Sequence, residues 1–250
     1  MVAGSQPPQS WSQIAGWYDE RVSAGSGPHR TAVDCLLRLV PDLTEADVLD
    51  VACGQGLATR AIADAGARSV VGIDSSATMI ELAGQHRVTG GVMSYRVDDA
   101  ERLDSCPDAA FDGVTCQLGL MDIPDLAAAL AAIRRVLRPG GWFVFVIGHP
   151  CFLAPGAETT QGSDGQPGRL VSRYLDEGFW RSSNPDGIRG RAGNHHRTIS
   201  TYLNALVAAG FSLAAVQEPM GDPLLLAEQP VYASVPIILG VRAYPSPRPG

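Results

Sequence analysis

Two carboxylates and a pair of glycines carry the densest chemical signal in this sequence. In Asp50-Val51-Ala52-Cys53-Gly54-Gln55-Gly56 an apolar run reaches an acid and then turns through small residues into a helical segment. Gly54 and Gly56 permit backbone angles that other residues avoid, and they let a ligand lie close against the turn. A second acid, Asp74, ends the next apolar run 24 residues later, where a carboxylate can accept hydrogen bonds from both hydroxyls of a ribose. A nicotinamide or flavin turn of the G-x-G-x-x-G type would need its third glycine where Thr59 stands, or where Leu57 stands if it began at Ala52. A carboxylate at position 50 would also repel a pyrophosphate, whereas it would attract an ammonium group.

Holding these residues in place takes an alternation of strands and helices. Short apolar runs at 48–52, 69–74, 91–97, 111–117 and 142–148 are interleaved with helical segments at 57–66, 77–86 and 125–141. Runs that are apolar at nearly every position suit strands covered on both faces, and Gly66 and Pro139-Gly140 stand where helices should stop. The pattern predicts an α/β fold in one domain, with a mostly parallel sheet and helices on both faces. Residues 1–47 form a helical cap with a helix at 28–39, and 48–148 form the ligand-binding core. A helix at 198–209 and strands at 211–217 and 231–243 close the chain, within 198–250. With no helix expected between those two strands, they should pair antiparallel at one sheet edge. The glycine-rich stretch 149–197 is too loose for another βα unit. It follows the C-terminal end of the fifth strand, the side on which open α/β sheets bind ligands, and is read as a substrate cover.

Composition narrows the function classes. The 250 residues are 45% hydrophobic, enough for a sizeable core. A net charge of −7 disfavours general nucleic-acid or anionic-membrane binding. Five cysteines with no C-x-x-C pair fit neither a disulfide framework nor a zinc knuckle and point to a reduced, cytoplasmic protein. The N-terminus lacks a basic start and an apolar stretch, so no signal peptide is expected. No apolar run approaches membrane-spanning length.

With the residues in hand, the sequence resembles the class I S-adenosylmethionine-dependent methyltransferases. Asp50 to Gly56 is similar to that family's first motif, with Ala52 in place of its first glycine, and Gly72-Ile73-Asp74-Ser75-Ser76-Ala77-Thr78-Met79 to its second. Asp98-Asp99-Ala100-Glu101 resembles the loop after the third strand, Phe111 to Gln117 the fourth strand, and Arg135 to Gly141 the turn before the fifth. Trp17-Tyr18-Asp19 resembles an N-terminal element that closes over the cofactor. The resemblance implies a seven-stranded Rossmann-like sheet with one antiparallel strand at the edge, and S-adenosylmethionine as cofactor. It also implies site residues. Asp74 holds the ribose, Met79 packs on the adenine, Asp99 meets the adenine amino group and Gln117 lines the methionine moiety. Tyr18, Ala52, Cys53, Gly54, Gly56, Ser75 and Ala100 complete the cofactor site around Asp50.

The implied reaction is an in-line displacement that moves a methyl group to an oxygen or nitrogen of a small molecule, in specialised metabolism. Aromatic walls can stabilise a cationic sulfur, and Trp11, Tyr18, Phe179 and Trp180 are candidates, with Arg197 or Arg181 gripping an acidic group on the acceptor. An acceptor that must lose a proton needs a base, and His149, His195 and His196 stand at the ligand-binding edge or just ahead of the helix at 198–209. No carboxylate cluster suggests a metal. The stretch Gln117-Leu118-Gly119-Leu120 replaces the N-P-P-Y sequence of enzymes acting on adenine or amide nitrogens. A monomer or homodimer with no nucleic-acid or membrane partner is expected. Two other readings remain open: a cofactor-binding partner subunit without transfer activity, and a nicotinamide-dependent oxidoreductase.

Overall fold

The computed structural model describes residues 9–25, 27–86 and 92–246. The two ends of the chain in the expected cap and C-terminal part, and position 91 of the expected third strand, lie outside the described residues. Helices α1 (Trp11–Ser23) and α2 (His29–Leu39) precede an alternating series: β1 (Asp47–Val51), α3 (Leu57–Asp64), β2 (Ser69–Asp74), α4 (Ala77–Gln85), β3 (Met93–Val97), β4 (Phe111–Gln117), α5 (Leu126–Val136) and β5 (Leu137–Gly148). Three of these helices, α4, α5 and the later α7 (Ile199–Ala208), begin on a side chain that accepts from the first turn: Ser76, Asp125 and Thr198 respectively.

The strands form one seven-stranded sheet in the order β10-β11-β5-β4-β1-β2-β3, with β10 at Phe211–Gln217 and β11 at Ile238–Pro245. β1 pairs parallel with β2 and β4, β2 with β3, and β4 with β5. β11 runs antiparallel to both β5 and β10, so the terminal pair is antiparallel as expected. Alternation along β5 feeds two cores. Phe143, Phe145 and Ile147 pack with α5 and α7 on one face, while Val144 and Val146 pack with α2 and α3 on the other. A strand buried on both faces leaves no room for error: a Cβ on Gly113 of β4 would lie 2.1 Å from the Trp142 indole. Gly113→Ala is therefore expected to cost about 1–3 kcal/mol, read as a lower midpoint in urea.

Four features depart from the sequence reading. The helix at 125–141 ends at Val136, because Pro139 biases Arg138 toward extended backbone and Gly140 takes φ +81°. Residues 138–141 bulge from the sheet as the register jumps from Phe111↔Leu137 to Gly113↔Trp142. A short helix, α8 (Pro223–Glu228), capped by Asp222, does stand between β10 and β11. Pro236 interrupts the apolar run at 231–243 and Pro230 opens a 3₁₀ turn just ahead of it, so the first part of the run buries Val231 and Tyr232 in that turn and the strand starts only at Ile238. The stretch 149–197 is also more ordered than a loose cover. It holds two hairpins, β6 (Glu158–Gln161) with β7 (Pro167–Leu170) and β8 (Gly178–Trp180) with β9 (Asn194–His196), plus one turn of helix, α6 (Ile188–Arg191).

Candidate active site

The C-terminal ends of β4, β1, β2 and β3 open onto one cavity of about 920 Å³, part of it open to solvent. Each strand contributes its following loop. The β1 turn presents Ala52, Cys53, Gly54 and Gln55; β2 and α4 present Asp74, Ser75 and Met79; the β3 loop presents Asp98 to Glu101; and β4 presents Gln117 to Gly119 and, beyond, Asp122. Trp11 and Tyr18 of α1 and His29 of α2 close the remaining side. α1 is fastened across α4 by Ser12 Oγ to Ser76 Oγ (2.8 Å) and by Asp19 to His86 Nε2 (3.0 Å).

Backbone strain gathers at the strand tips. Ala52 after β1 has φ +54° and Leu118 after β4 has φ +54°, a left-handed region that costs residues with a Cβ about 1–2 kcal/mol. Gly54 (φ +54°) and Gly56 (φ +84°) take such angles freely, and a Cβ at Gly54 would meet nothing within 4 Å, so the turn faces open space. Asp74 holds this turn: its Oδ2 accepts from Gly54 N and its Oδ1 from Ser76 N, both at 2.9 Å. Burial lifts its pKa, opposed by those two amides. Each carboxylate oxygen has two acceptor sites, so one on each remains for a ligand.

The sequence reading placed Asp50 against a ligand, whereas the structure sets its side chain beneath the turn. Asp50 is fully buried beneath the turn, with Oδ2 accepting from Thr59 Oγ1 (2.6 Å) and Oδ1 from Thr115 Oγ1 (2.8 Å), and it does not line the cavity. Desolvation pushes its pKa up to about 6, against the two hydroxyl bonds. Gly56 also lies off the cavity wall, as the left-handed cap of α3. The other cofactor candidates, Tyr18, Ala52, Cys53, Gly54, Asp74, Ser75, Met79, Asp99, Ala100 and Gln117, all line it.

The acceptor candidates divide. Trp11 and Tyr18 line the first cavity, while His149, Trp180, His195, His196 and Arg197 line a second, of about 890 Å³ including open solvent, between β5 and the 149–197 segment. Phe179 lies on neither wall; it is 51% exposed and packs edge-on to His195. His149 is a poor base in this arrangement. Its Nδ1 accepts from Cys151 N (3.2 Å), which leaves Nε2 to donate to Glu218 Oε1 (2.7 Å), so both nitrogens are taken. His196 donates Nε2–H to the Tyr174 carbonyl (2.8 Å). Arg197 spends its guanidinium on the carbonyls of Leu120, Ile123 and Pro124 and staples the β4 loop rather than facing an anion. Arg181 bonds the Gly190 carbonyl. His195 keeps the most open position of the three histidines, its pKa lowered by burial and by Arg197.

Two residues that the sequence reading did not single out stand between the cavities, Arg189 having counted there only as one of six arginines between 169 and 197. Asp122 lines the first, and Arg189 of α6, which lines the second, donates Nη1–H to Asp122 Oδ1 at 2.5 Å. Burial lifts Asp122 to about 6, and Arg189 opposes the rise. The third missed residue is His29, 5% exposed, whose pKa burial lowers to about 4 with help from Arg189 and Arg21. Among the described residues no group of three His, Cys, Asp or Glu could hold a metal ion, and no helix is long and apolar enough to cross a membrane.

Residues 49–145, which span β1 to most of β5, match the methyltransferase domain family. A solved S-adenosylmethionine-dependent methyltransferase from Mesorhizobium loti superposes with TM-score 0.72 at 28% identity, over 88% of this chain and 98% of that one. Together with the sheet order, the superposition gives the chain the class I fold of S-adenosylmethionine-dependent methyltransferases. An uncharacterized protein of Haemophilus influenzae is 28% identical over 79% of this chain and 77% of its own length. A ubiquinone biosynthesis O-methyltransferase of Xanthomonas oryzae pv. oryzae is 40% identical, but over only 40% of this chain. The chain spans about two fifths of that relative's length, 42%.

S-adenosylmethionine is the cofactor that this domain implies, and the residues present fit it. Asp74 has an acceptor site open on each oxygen, Met79 and Ala100 offer apolar walls, and the β1 turn leaves space above Gly54. The segment 49–145 thus supplies the cavity's floor and the Asp122 side, while α1 and α2 supply its far wall.

Proposed function

We propose that the protein transfers a methyl group from S-adenosylmethionine to an oxygen or nitrogen of a small organic molecule in specialised metabolism. The observation that carries this reading is Asp74, fixed by two amides at the tip of β2 with an acceptor site spare on each oxygen, inside a cavity formed on the methyltransferase domain. The O-methyltransferase relatives favour an oxygen acceptor.

In this reading Asp74 takes the ribose, Met79 and Ala100 flank the adenine, and Asp99 meets its amino group. Gln117 and the β1 turn hold the amino-acid end, with the Asp50 charge acting from beneath the turn rather than by direct contact. Bound S-adenosylmethionine supplies an electrophilic methyl on a good neutral leaving group, so the chain's own contribution is positioning and exclusion of water. Trp11 and Tyr18 cover the cavity from α1, and residues 1–47 serve as a cap. Residues 149–197 cover the acceptor side, fastened by the Asp122–Arg189 pair and by Arg191, whose guanidinium stacks 4.3 Å from the Trp17 ring centre.

Two measurements test the reading. Thermal shift should show stabilisation by S-adenosylhomocysteine and none by NAD(H); the reverse would make the protein an oxidoreductase. Transfer of a labelled methyl group should then appear with one or more members of a panel of phenols and amines. Tight cofactor binding without product from any acceptor would instead make the protein a non-catalytic subunit.

A further inference from the structure

We infer that His29 is the residue that meets the reacting group, with its Nε2 accepting a hydrogen bond from the donor that enters the cavity where the methyl group is transferred. The inference rests on the proposed methyl transfer and deepens it by assigning the acceptor-side contact.

Position comes first. The cavity crosses the strand tips in the order β4, β1, β2, β3, with neighbours about 4.8 Å apart. Asp74 marks β2, and Asp98 to Glu101 mark the β3 end. His29 belongs to the opposite end, because Gln117 at the tip of β4 donates Nε2–H to the His29 carbonyl at 3.1 Å. Two strand spacings, about 10 Å, therefore separate the tip of β2, which carries Asp74, from the tip of β4, to which the His29 backbone is tied. A ligand anchored by its ribose at Asp74 and by its amino-acid end over the β1 turn turns its reacting group toward that end.

Next is an unmet need. The ring of His29 is buried, yet its Nε2 has no hydrogen-bond partner among the described residues. A buried polar atom without a partner costs about 1–3 kcal/mol, and native structures rarely tolerate one without a reason. The ring is nonetheless held in place. It sits in the first turn of α2 and meets the Tyr18 ring edge-on at 5.5 Å, and its backbone is tied to β4. His29 lines the cavity, and a fixed ring there with an unsatisfied acceptor is suited to orient an O–H or N–H so that the lone pair on the same atom faces the methyl carbon.

The other histidines are placed differently. His149 has both nitrogens bonded, His196 is spent on Tyr174, His86 at the end of α4 pairs with Asp19, and His195 lines the second cavity. Burial beside Arg21 and Arg189 keeps the His29 imidazole neutral near pH 7, so a lone pair is available there. As an acceptor through Nε2, the ring carries its proton on Nδ1.

The test needs no knowledge of the methyl acceptor. Sinefungin is a nucleoside analogue with an amine-bearing carbon in place of the sulfur and its methyl, so it presents an ammonium donor at the position of the transferred group. Calorimetry on the full chain would compare sinefungin with S-adenosylhomocysteine for wild type, His29→Gln and His29→Leu. Wild type is expected to prefer sinefungin by about tenfold, the worth of one charge-assisted hydrogen bond. His29→Gln, whose side-chain carbonyl reaches to the place of Nε2, should keep the preference. His29→Leu should lose it, with S-adenosylhomocysteine affinity unchanged within about twofold. A preference retained in His29→Leu, or absent from wild type, overturns the assignment while leaving the cofactor reading intact. Failure of S-adenosylhomocysteine to bind wild type overturns both. A merely structural His29 would lower the melting temperature of both variants and leave the ligand ratio where it was.

Discussion

Asp74→Ala is expected to lower the affinity for S-adenosylhomocysteine about 100-fold or more. A ribose offers two hydroxyls to the carboxylate, and hydrogen bonds to a charged group are worth about 1.5–3 kcal/mol each, so their loss outweighs any single apolar contact in the cavity. The substitution also releases the turn, since Gly54 N and Ser76 N both lose their acceptor. Asp74→Asn separates the two effects. It keeps one oxygen for an amide and one polar edge for the ribose, so its loss should lie between wild type and alanine. Isothermal titration of the three proteins reads the series directly. Equal affinities across it would remove the ribose from Asp74.

The second large effect concerns Asp50 and has opposite signs for stability and binding. In the folded chain its pKa is about 6 against an ordinary 3.8, because the carboxyl is buried. The folded state thus holds the proton more tightly than the unfolded state. That contribution is complete below about pH 3.8 and is lost as pH rises through 6. Above pH 6 the buried carboxylate works against the fold, by up to about 3 kcal/mol for a shift of this size. Asp50→Asn removes the charge and can still bond both Thr59 and Thr115, so it should melt about 5 °C higher or more at pH 7.5. Stability should also change less between pH 4 and 6. Some dependence will persist, because Asp122 is likewise lifted to about 6. Cofactor affinity should fall, since the turn loses the negative charge beneath the cationic end of the ligand. Thermal melts from pH 4 to 8 with and without S-adenosylhomocysteine check both halves. A lower melting temperature at every pH with unchanged binding would make Asp50 a purely structural residue.

Much of the sheet was legible because its strands are buried on both faces and therefore read as apolar runs. β2 and β4 fall where the sequence places them, at Ser69–Asp74 and Phe111–Gln117. The cavity wall was legible for a related reason: Gly54, Asp74, Met79, Asp99 and Gln117 stand at strand tips or first helical turns, so local spacing fixes where they go. What stayed hidden depends on distant contacts. Asp122 lies in a loop without periodicity, and its partner Arg189 comes 67 residues later. His29 opens an amphipathic helix and reads as an ordinary core position; only the unpartnered Nε2 in the folded chain singles it out. Arg197 looked like an anion grip from charge alone, and the three carbonyls that consume it come from residues 120–124. Asp50 was legible as a functional acid, but which way its side chain points depends on Thr59 and Thr115 closing over it.

The most direct test of the whole account is a crystal structure of the protein with S-adenosylhomocysteine. Both ribose hydroxyls should lie within hydrogen-bond distance of the Asp74 carboxylate, with the adenine against Met79 and the amino-acid end over Gly54. A nucleoside bound away from the tip of β2, or a cavity that takes none at saturating concentration, would contradict it.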